Sequence, residues 1–244
     1  MSALFISDLH LDAARPDIAT QFLEFLRTEA VGAQSLYILG DLFEAWIGDD
    51  DPDPQVRRVM HALKELTARG VLCRIMHGNR DFLIGRRFCR ETGVGLLRDG
   101  TVIELQGQRV LLMHGDTLCT DDHAYQRLRR IVRNPCVQGV LRCLSLRQRR
   151  ALAQRMRAGS KTHISTAEQA QPYIMDVNQE AVVHALRQHR ADFLVHGHTH
   201  RPAVHQVAVD GTLKTRIVLG DWYEQGSVLR WNAAGFELVT LGRE

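Results

Sequence analysis

Seven residues of this chain could do chemistry together: Asp8, His10, Asp41, Asn79, His114, His198 and His200. Three offer oxygen and four offer imidazole nitrogen; no cysteine shares their setting. That is more than one catalytic metal needs and suits two. In two-metal hydrolysis a shared carboxylate holds divalent ions roughly 3.5–4 Å apart, so that both the attacking and the leaving oxygen are stabilised. Mixed carboxylate, amide and imidazole donors fit manganese, iron or zinc better than magnesium alone, and the share of hard oxygens puts manganese first without excluding the others. An isolated Asp-Leu-His means little, because acidic residues and histidines meet by chance in loops. What raises these above chance is that each stands just beyond a short apolar run. ALFIS leads to Asp8 and His10, SLYILG to Asp41, LCRIMHG to Asn79, RVLLM to His114, and DFLV to the HGHTH of 196–200.

Runs of this length, rich in Ile, Val and Leu, predict buried strands. Between the first four lie helical patterns or a hairpin. IATQFLEFLRTEA (18–30) has helical spacing. Asp53-Pro54 predicts a cap and first helical position, with the helix running to about Arg69 and Gly70 as its stop. A shorter helix is expected over Phe82 to Glu91, and Asp176 is the expected cap of MDVNQEAVVHALRQH. Beyond His200 the pattern becomes strand and turn: AVHQVAV, TLKTRIVLG, then SVLRWNAAGFELVTL. The order predicts two packed sheets with helices outside. Ligands of open α/β sheets bind beyond the carboxyl ends of the strands, which is where the seven residues fall.

The 244 residues suit a single α/β domain, expected over 1–244, with an insertion. No apolar run approaches the roughly 20 residues that span a bilayer, and the N-terminus lacks the basic start of a signal peptide. Five cysteines, an odd number with no CxxC pair, predict reduced thiols in a cytosolic protein. Net charge is only +3, but it is unevenly spread. From His123 to Ala167 there are ten Arg and one Lys and no acidic residue, while the remainder of the chain carries −8. A basic helical insert over 122–165 in an acidic body points to an anionic partner. Pro135 and Gly139 are expected to break it into two or three helices.

FISDLHLD, ILGDLFEAW, HGNRD, MHGD and HGHTH together resemble the five signature blocks of the calcineurin-like metallophosphoesterases. GDLFEAWIGDDD, GNRDFLIGRRF, HGDTLCTDD and MDVNQ narrow the resemblance to the UDP-2,3-diacylglucosamine pyrophosphate hydrolases of lipid A biosynthesis. The resemblance implies a four-layer α/β/β/α sandwich, with the helical insert acting as a lid. It implies two Mn²⁺ ions per chain, one held by Asp8, His10, Asp41 and His200 and the other by Asp41, Asn79, His114 and His198. It implies catalytic roles for Asp41, Asn79, Arg80 and His114, and contacts to a UDP-linked diacylated glucosamine by Asn79, Arg80, Asp122, Ser160 and His198. Basic amphipathic helices bind anionic membrane surfaces, so the protein is expected to lie peripherally on the cytoplasmic face of the inner membrane with the insert against anionic lipid, and to be a monomer. The stretch after Ser160, KTHISTAEQAQPY, offers no clear match for the family's further polar contacts.

One residue departs from the superfamily block, in which Asn is usually followed by His. Here Arg80 follows Asn79. An alkoxide leaving group profits from a general acid. A phosphate leaving group is already a stable anion and needs its charge neutralised. Arg cannot give a proton but can grip phosphate oxygens through paired hydrogen bonds. Arg80 therefore predicts cleavage of a P–O–P bond.

Other polar residues have plainer readings. His61, His184 and His189 are expected to face solvent, and His77 and His196 to support the site or pack beside it. His123 stays open. The acidic run 49–51 lacks the spacing of a calcium loop and is expected to be a solvated turn. Asp116 either orients a metal-bound histidine or satisfies its own turn. Trp46 and Trp222 are expected in the core or rim, and Glu44 is undecided. Two other functions compete: a phosphodiesterase or nuclease whose insert binds nucleic acid, and a non-catalytic scaffold. The insert's single aromatic, Tyr125, gives no stacking platform for single strands, so no nucleic acid is expected. Every ligand position is filled, which argues against a scaffold.

Overall fold

The computed structural model describes residues 2–170 and 176–242, the side chains of 160–170 excepted. The expected mixed α/β architecture is present. The first half alternates strand and helix: β1 (Ala3–Ile6), α1 (Pro16–Thr28), β2 (Ser35–Ile38), α2 (Pro54–Ala68), β3 (Leu72–Met76), α3 (Arg86–Thr92) and β4 (Gly95–Leu97). A hairpin, β5 (Thr101–Leu105) and β6 (Gln108–Leu112), opens a second sheet. The helices α4 (His123–Val132), α5 (Pro135–Cys143) and α6 (Leu146–Ala170) follow. Then come α7 (Gln179–His189), β7 (Phe193–His196), β8 (Ala203–Val209), β9 (Thr212–Val218), β10 (Gly226–Asn232) and β11 (Gly235–Leu241). One sheet has the order β11-β10-β1-β2-β3-β4 and the other β5-β6-β7-β9-β8. Phe5, Leu39, Leu112, Val195 and Ile217 belong to a core drawn from both sheets. Outside it, α1, α2 and α3 bury Phe22, Leu63 and Phe88 against the first sheet, while α7 buries Val182 and Leu186 against the second.

This arrangement brings five strand ends together. β1, β2 and β3 run parallel in the first sheet, and β6 and β7 run parallel in the second. Their carboxyl ends therefore face the same edge of the molecule.

Local chemistry accounts for most element boundaries. Asp53 accepts from the backbone N–H groups of Gln55 and Val56 with Pro54 behind it, as expected. The cap of α7 is Asn178, not Asp176; Asn178 accepts from Glu180 and Ala181. Asp176 instead meets Arg201 and the Val177 N–H. The helix expected from Phe82 starts only at Arg86, because Phe82, Leu83 and Ile84 are spent on burying a turn. Gly139 does not break the insert. α5 runs through it, and the breaks fall at Asn134, which caps α5 ahead of Pro135, and at Leu144–Ser145. The three-residue β4 carries too short a pattern to stand out in sequence. All five cysteines are free thiols.

Candidate metal centre

Five of the seven candidate ligands have left-handed backbone: Asp8 (φ 55°), His10 (52°), Asp41 (52°), His198 (70°) and His200 (55°). Non-glycine residues seldom adopt this region, and they hold it only where the surroundings over-determine it. Here the loops lace one another. Asp8 N–H donates to Gly40 O, His10 N–H to Asp41 O, Leu11 N–H to Leu42 O and Glu44 N–H to Leu11 O, while Trp46 N–H donates to Arg80 O. Buried Asp81 clasps two loops, accepting from Leu42 N–H (2.9 Å) and Gly78 N–H (2.7 Å). Two glycines let carboxylates lie against backbone. A Cβ at Gly78 would stand 2.0 Å from Asp41 Oδ1, and one at Gly197 would stand 2.1 Å from Asp8 Oδ2.

The seven side chains converge. At one end His10 Nε2 lies 3.3 Å from His200 Nε2, and Asp8 Oδ1 lies 3.4 Å from His200 Nε2. At the other, Asn79 Oδ1 lies 3.1 Å from both His114 Nε2 and His198 Nδ1. Asp41 Oδ2 stands between, 4.0 Å from His10 Nε2 and 3.8 Å from His114 Nε2. The outer oxygens of both acids are already used. Asp8 Oδ2 accepts from Ser7 Oγ and His198 N–H, and Asp41 Oδ1 accepts from Arg80 N–H. That leaves the inner oxygens facing the cluster, and Asp8 Oδ1 is buried without a hydrogen-bond donor. A buried carboxylate oxygen with no donor is costly. Donor atoms of Asp8, His10 and His200, and of Asp8, Asp41 and His114, lie within 4.8 Å of one another. Donor type, convergence and the orphaned oxygen all fit divalent cations.

The charges agree. Burial pushes the Asp41 carboxyl up to about 6, with Asp81 and Asp8 adding to this against His114 and His10. Burial also opposes charge on Asp8, yet His200, His114 and His10 hold it well below the usual carboxylate range. Burial works against a charged His114, but Asp41, Asp116 and Asp8 overcome it and lift that imidazole to about 9. His200 reaches about 10 through Asp221 and Asp8 in spite of its burial. Without metal, then, the acids hold two protonated imidazoles beside them near neutral pH. A ligating imidazole must be neutral. Titrating the metal-free protein with a divalent cation at neutral pH should therefore release about two protons. Calorimetry in buffers of different ionisation enthalpy measures this, and affinity should climb as pH rises toward 9. Binding with no proton release would contradict it.

Around the ligands stand residues that the sequence did not disclose. Two ring nitrogens facing away from the cluster have partners, His114 Nδ1 with Leu39 O (2.8 Å) and His200 Nδ1 with Asp221 (3.2 Å), while His10 Nδ1 lies 3.0 Å from Glu44 without a hydrogen bond to it. Such partners fix ring orientation and raise ligand basicity. Tyr223 stacks on His10, centroids 5.2 Å apart. Asp116 orients no metal-bound histidine through a hydrogen bond. Its Oδ2 accepts from Tyr125 OH and Arg129 Nε, both at 2.7 Å, and so pins α4 beside the site. Asp122 caps α4 by accepting from Tyr125 N–H. The side chain of Ser160 lies outside the described residues. His61 and His184 are exposed and His189 is half-buried. His77 Nε2 meets Ile84 O, His196 is buried, and Trp222 is fully buried against Phe22 and Phe25.

The acidic run 49–51 is not a solvated turn. Asp49 accepts from Trp46 Nε1 and from the N–H groups of Gly85, Arg87 and Phe88 at the start of α3. Asp50 takes both terminal nitrogens of Arg149 (2.7 and 2.6 Å), and Asp51 takes Arg150 (2.9 Å). Further along α6, Arg157 reaches Asp12 (3.0 Å) and Glu44 (2.8 Å). One row of arginines thus fastens α6 to the loops around the site. Paired Asp50→Asn and Asp51→Asn substitutions should speed tryptic cleavage within α5 and α6 several-fold, with thermal unfolding of the body little changed. Unchanged cleavage would show that apolar packing alone holds these helices.

A match to the sequence model of calcineurin-like phosphoesterases covers residues 1–202. The chain belongs to the calcineurin-like phosphoesterase family. Its members' divalent-metal chemistry accords with the donor cluster. The chain is also 52% identical over 239 residues to a UDP-2,3-diacylglucosamine hydrolase of Escherichia coli, a span covering 98% of each. It is 52% identical to the enzyme of that name from Salmonella arizonae over 99% of each chain, and 49% identical to that of Serratia proteamaculans over 98% of each.

Proposed function

We propose that this protein hydrolyses the pyrophosphate of UDP-2,3-diacylglucosamine, giving UMP and 2,3-diacylglucosamine 1-phosphate in lipid A biosynthesis, with two Mn²⁺ ions as its cofactors. The observation that carries this reading is an apolar groove beside the ligand cluster, in a chain about half identical to enzymes of that name. Trp46, Phe82, Leu128, Leu141, Leu152 and Met156 line it, and Asn79 and Arg80 stand in its wall. Acyl chains would lie along this apolar lining, with the phosphates against Asn79 and Arg80. The bound ions supply an activated water and neutralise the phosphoryl oxygens.

The residues around them divide the remaining work. Asp8, His10, Asp41 and His200 would hold one ion, and Asp41, Asn79, His114 and His198 the other. Water adds to the α-phosphorus of the UDP moiety, the bond from that phosphorus to the bridging oxygen breaks, and the lipid 1-phosphate leaves. Arg80 binds and neutralises that leaving phosphate; no proton has to be donated to it. Asp122, Ser160 and His198 are the further proposed substrate contacts.

The insert is proposed to act as a lid and to meet the anionic surface of the inner membrane from the cytoplasmic side, the protein being a peripheral monomer. Leu128, Ile131 and Val140 are exposed on α4 and α5, beside exposed Arg127, Arg130 and Arg142. Exposed apolar residues flanked by arginines favour an anionic interface. Among the described residues no helix is long and apolar enough to cross a membrane. The protein should sediment with vesicles of anionic phospholipid and be released as salt is raised; Ile131→Glu with Val140→Glu should abolish sedimentation. Equal binding to neutral vesicles would overturn the charge argument. The hydrolytic reading itself is tested by supplying the lipid nucleotide and identifying the products.

A further inference from the structure

Among the described residues Glu44 is the one carboxylate that meets the candidate metal ligands, the candidate phosphate-binding arginine and the insert at once. It is 5% exposed. Its Oε2 lies 3.0 Å from His10 Nδ1 and 3.5 Å from Tyr223 OH. Its Oε1 lies 2.8 Å from an Arg157 terminal nitrogen and 3.6 Å from one of Arg80. The approach to His10 is close but out of line with the ring N–H, so Glu44 acts on that imidazole mainly by charge. The backbone fixes its place: Glu44 N–H donates to Leu11 O, and Phe43 bridges to Leu11, so the 41–44 loop cannot move without the loop of His10.

The charges make the contact informative. One carboxylate serves two guanidinium groups. The tight partner is Arg157, on the insert helix. The loose one is Arg80, whose Nε is buried without a partner. Withdrawing Arg157 would leave the whole carboxylate charge to Arg80 and His10. The position of α6 is thereby registered at the metal centre.

We propose that Glu44 is a positioning residue that couples the insert to the metal centre, with Arg157 setting through it the cation affinity at the Asp8–His10–His200 end and the freedom of Arg80 to take a phosphate. The proposal rests on the two-metal reading of the site but not on the identity of the substrate.

The test is titration of the metal-free full chain with Mn²⁺, following the free ion by electron paramagnetic resonance. Glu44→Gln keeps the shape and removes the charge. It should weaken one of the two Mn²⁺ sites by about 10–100-fold, the usual loss when a ligand's outer partner is removed, and leave the other nearly unchanged. Arg157→Met should shift the affinity of that same site by a smaller factor. The double variant should bind no differently from Glu44→Gln alone, because contacts acting through one residue are not additive. Arg150→Met, which removes the neighbouring contact to Asp51, should leave both sites unchanged. Additive losses, equal weakening by Arg150→Met, or a Glu44→Gln variant with both sites intact would each overturn the proposal. Circular dichroism of the metal-free variants separates any loss of fold. Because no substrate is present, a failure of the lipid assignment leaves this result standing, and the reverse also holds.

Discussion

Alanine at Arg80 is expected to lower kcat on the lipid pyrophosphate by about 10²–10³-fold, the range found when one preorganised charge-stabilising donor is removed, while Mn²⁺ content stays at the wild-type level. The two halves of this result separate because backbone and side chain do different work. The Arg80 N–H holds Asp41 Oδ1 at 2.8 Å, a contact that alanine keeps. The side chain is only 16% exposed, stands in the groove wall, and touches Glu44 loosely. On the proposed reading it would therefore give up little to meet a phosphate in that groove. Lysine should restore only part of the rate, since a point charge cannot make paired bonds to a phosphate. A simple phosphodiester with an alkoxide leaving group should be a poor substrate of the wild-type protein and should respond little to Arg80→Ala. Parallel loss on both substrates would mean that Arg80 supports the site and not the leaving group.

Asp41→Asn is expected to cost more, at least about 10³-fold in kcat, because on the proposed two-metal reading the shared carboxylate would be lost from both ions and each would supply several kcal/mol of charge stabilisation. Metal-free stability should change in the opposite sense. The Asp41 carboxyl is raised in the fold from 3.8 to about 6, so its favourable contribution is full below 3.8 and is lost as pH rises through about 6. Near neutral pH the metal-free fold carries a buried carboxylate whose desolvation the amide relieves, an effect offset in part by the loss of its attraction for His114. The Tm of the metal-free variant should accordingly exceed that of the wild type above that window, and the gap should close on acidification. Added Mn²⁺ should raise the Tm of the wild type and not that of the variant, since a ligand stabilises only the state that binds it. A variant still stabilised by Mn²⁺ would show that Asp41 is not the shared ligand.

That the seven candidate ligands would gather at one edge was legible in the sequence because each follows a strand, and a strand announces itself by a local apolar run. What surrounds them was not legible. Glu44 and Asp221 are single carboxylates in loops, and nothing in their neighbours marks them as the partners of His10 and His200. Asp50 and Asp51 read as solvated because the arginines that take them lie 99 residues further on. Asp116 and Arg129 are nearer in sequence but meet only once α4 folds back over the strand ends. The basic insert looked like a surface seeking an external anion. In part it is spent inward, with Arg129, Arg149 and Arg157 paired to acids of the body, while Arg127, Arg130 and Arg142 remain exposed. Composition gives the number of charges; only the fold decides which are already neutralised. The division into two sheets was expected from the order of elements, whereas the parallel pairing of β6 with β7 spans the whole insert and has no local signature.

The most direct measurement is hydrolysis of UDP-2,3-diacylglucosamine in detergent by the Mn²⁺-loaded protein, beside a simple phosphodiester and the Arg80→Ala variant, with products read by phosphorus NMR. The wild type should give UMP and the lipid monophosphate with little turnover of the diester, and the variant should be crippled while still binding its metal. Equal turnover of the diester together with an unimpaired Arg80→Ala protein would contradict the proposed reaction.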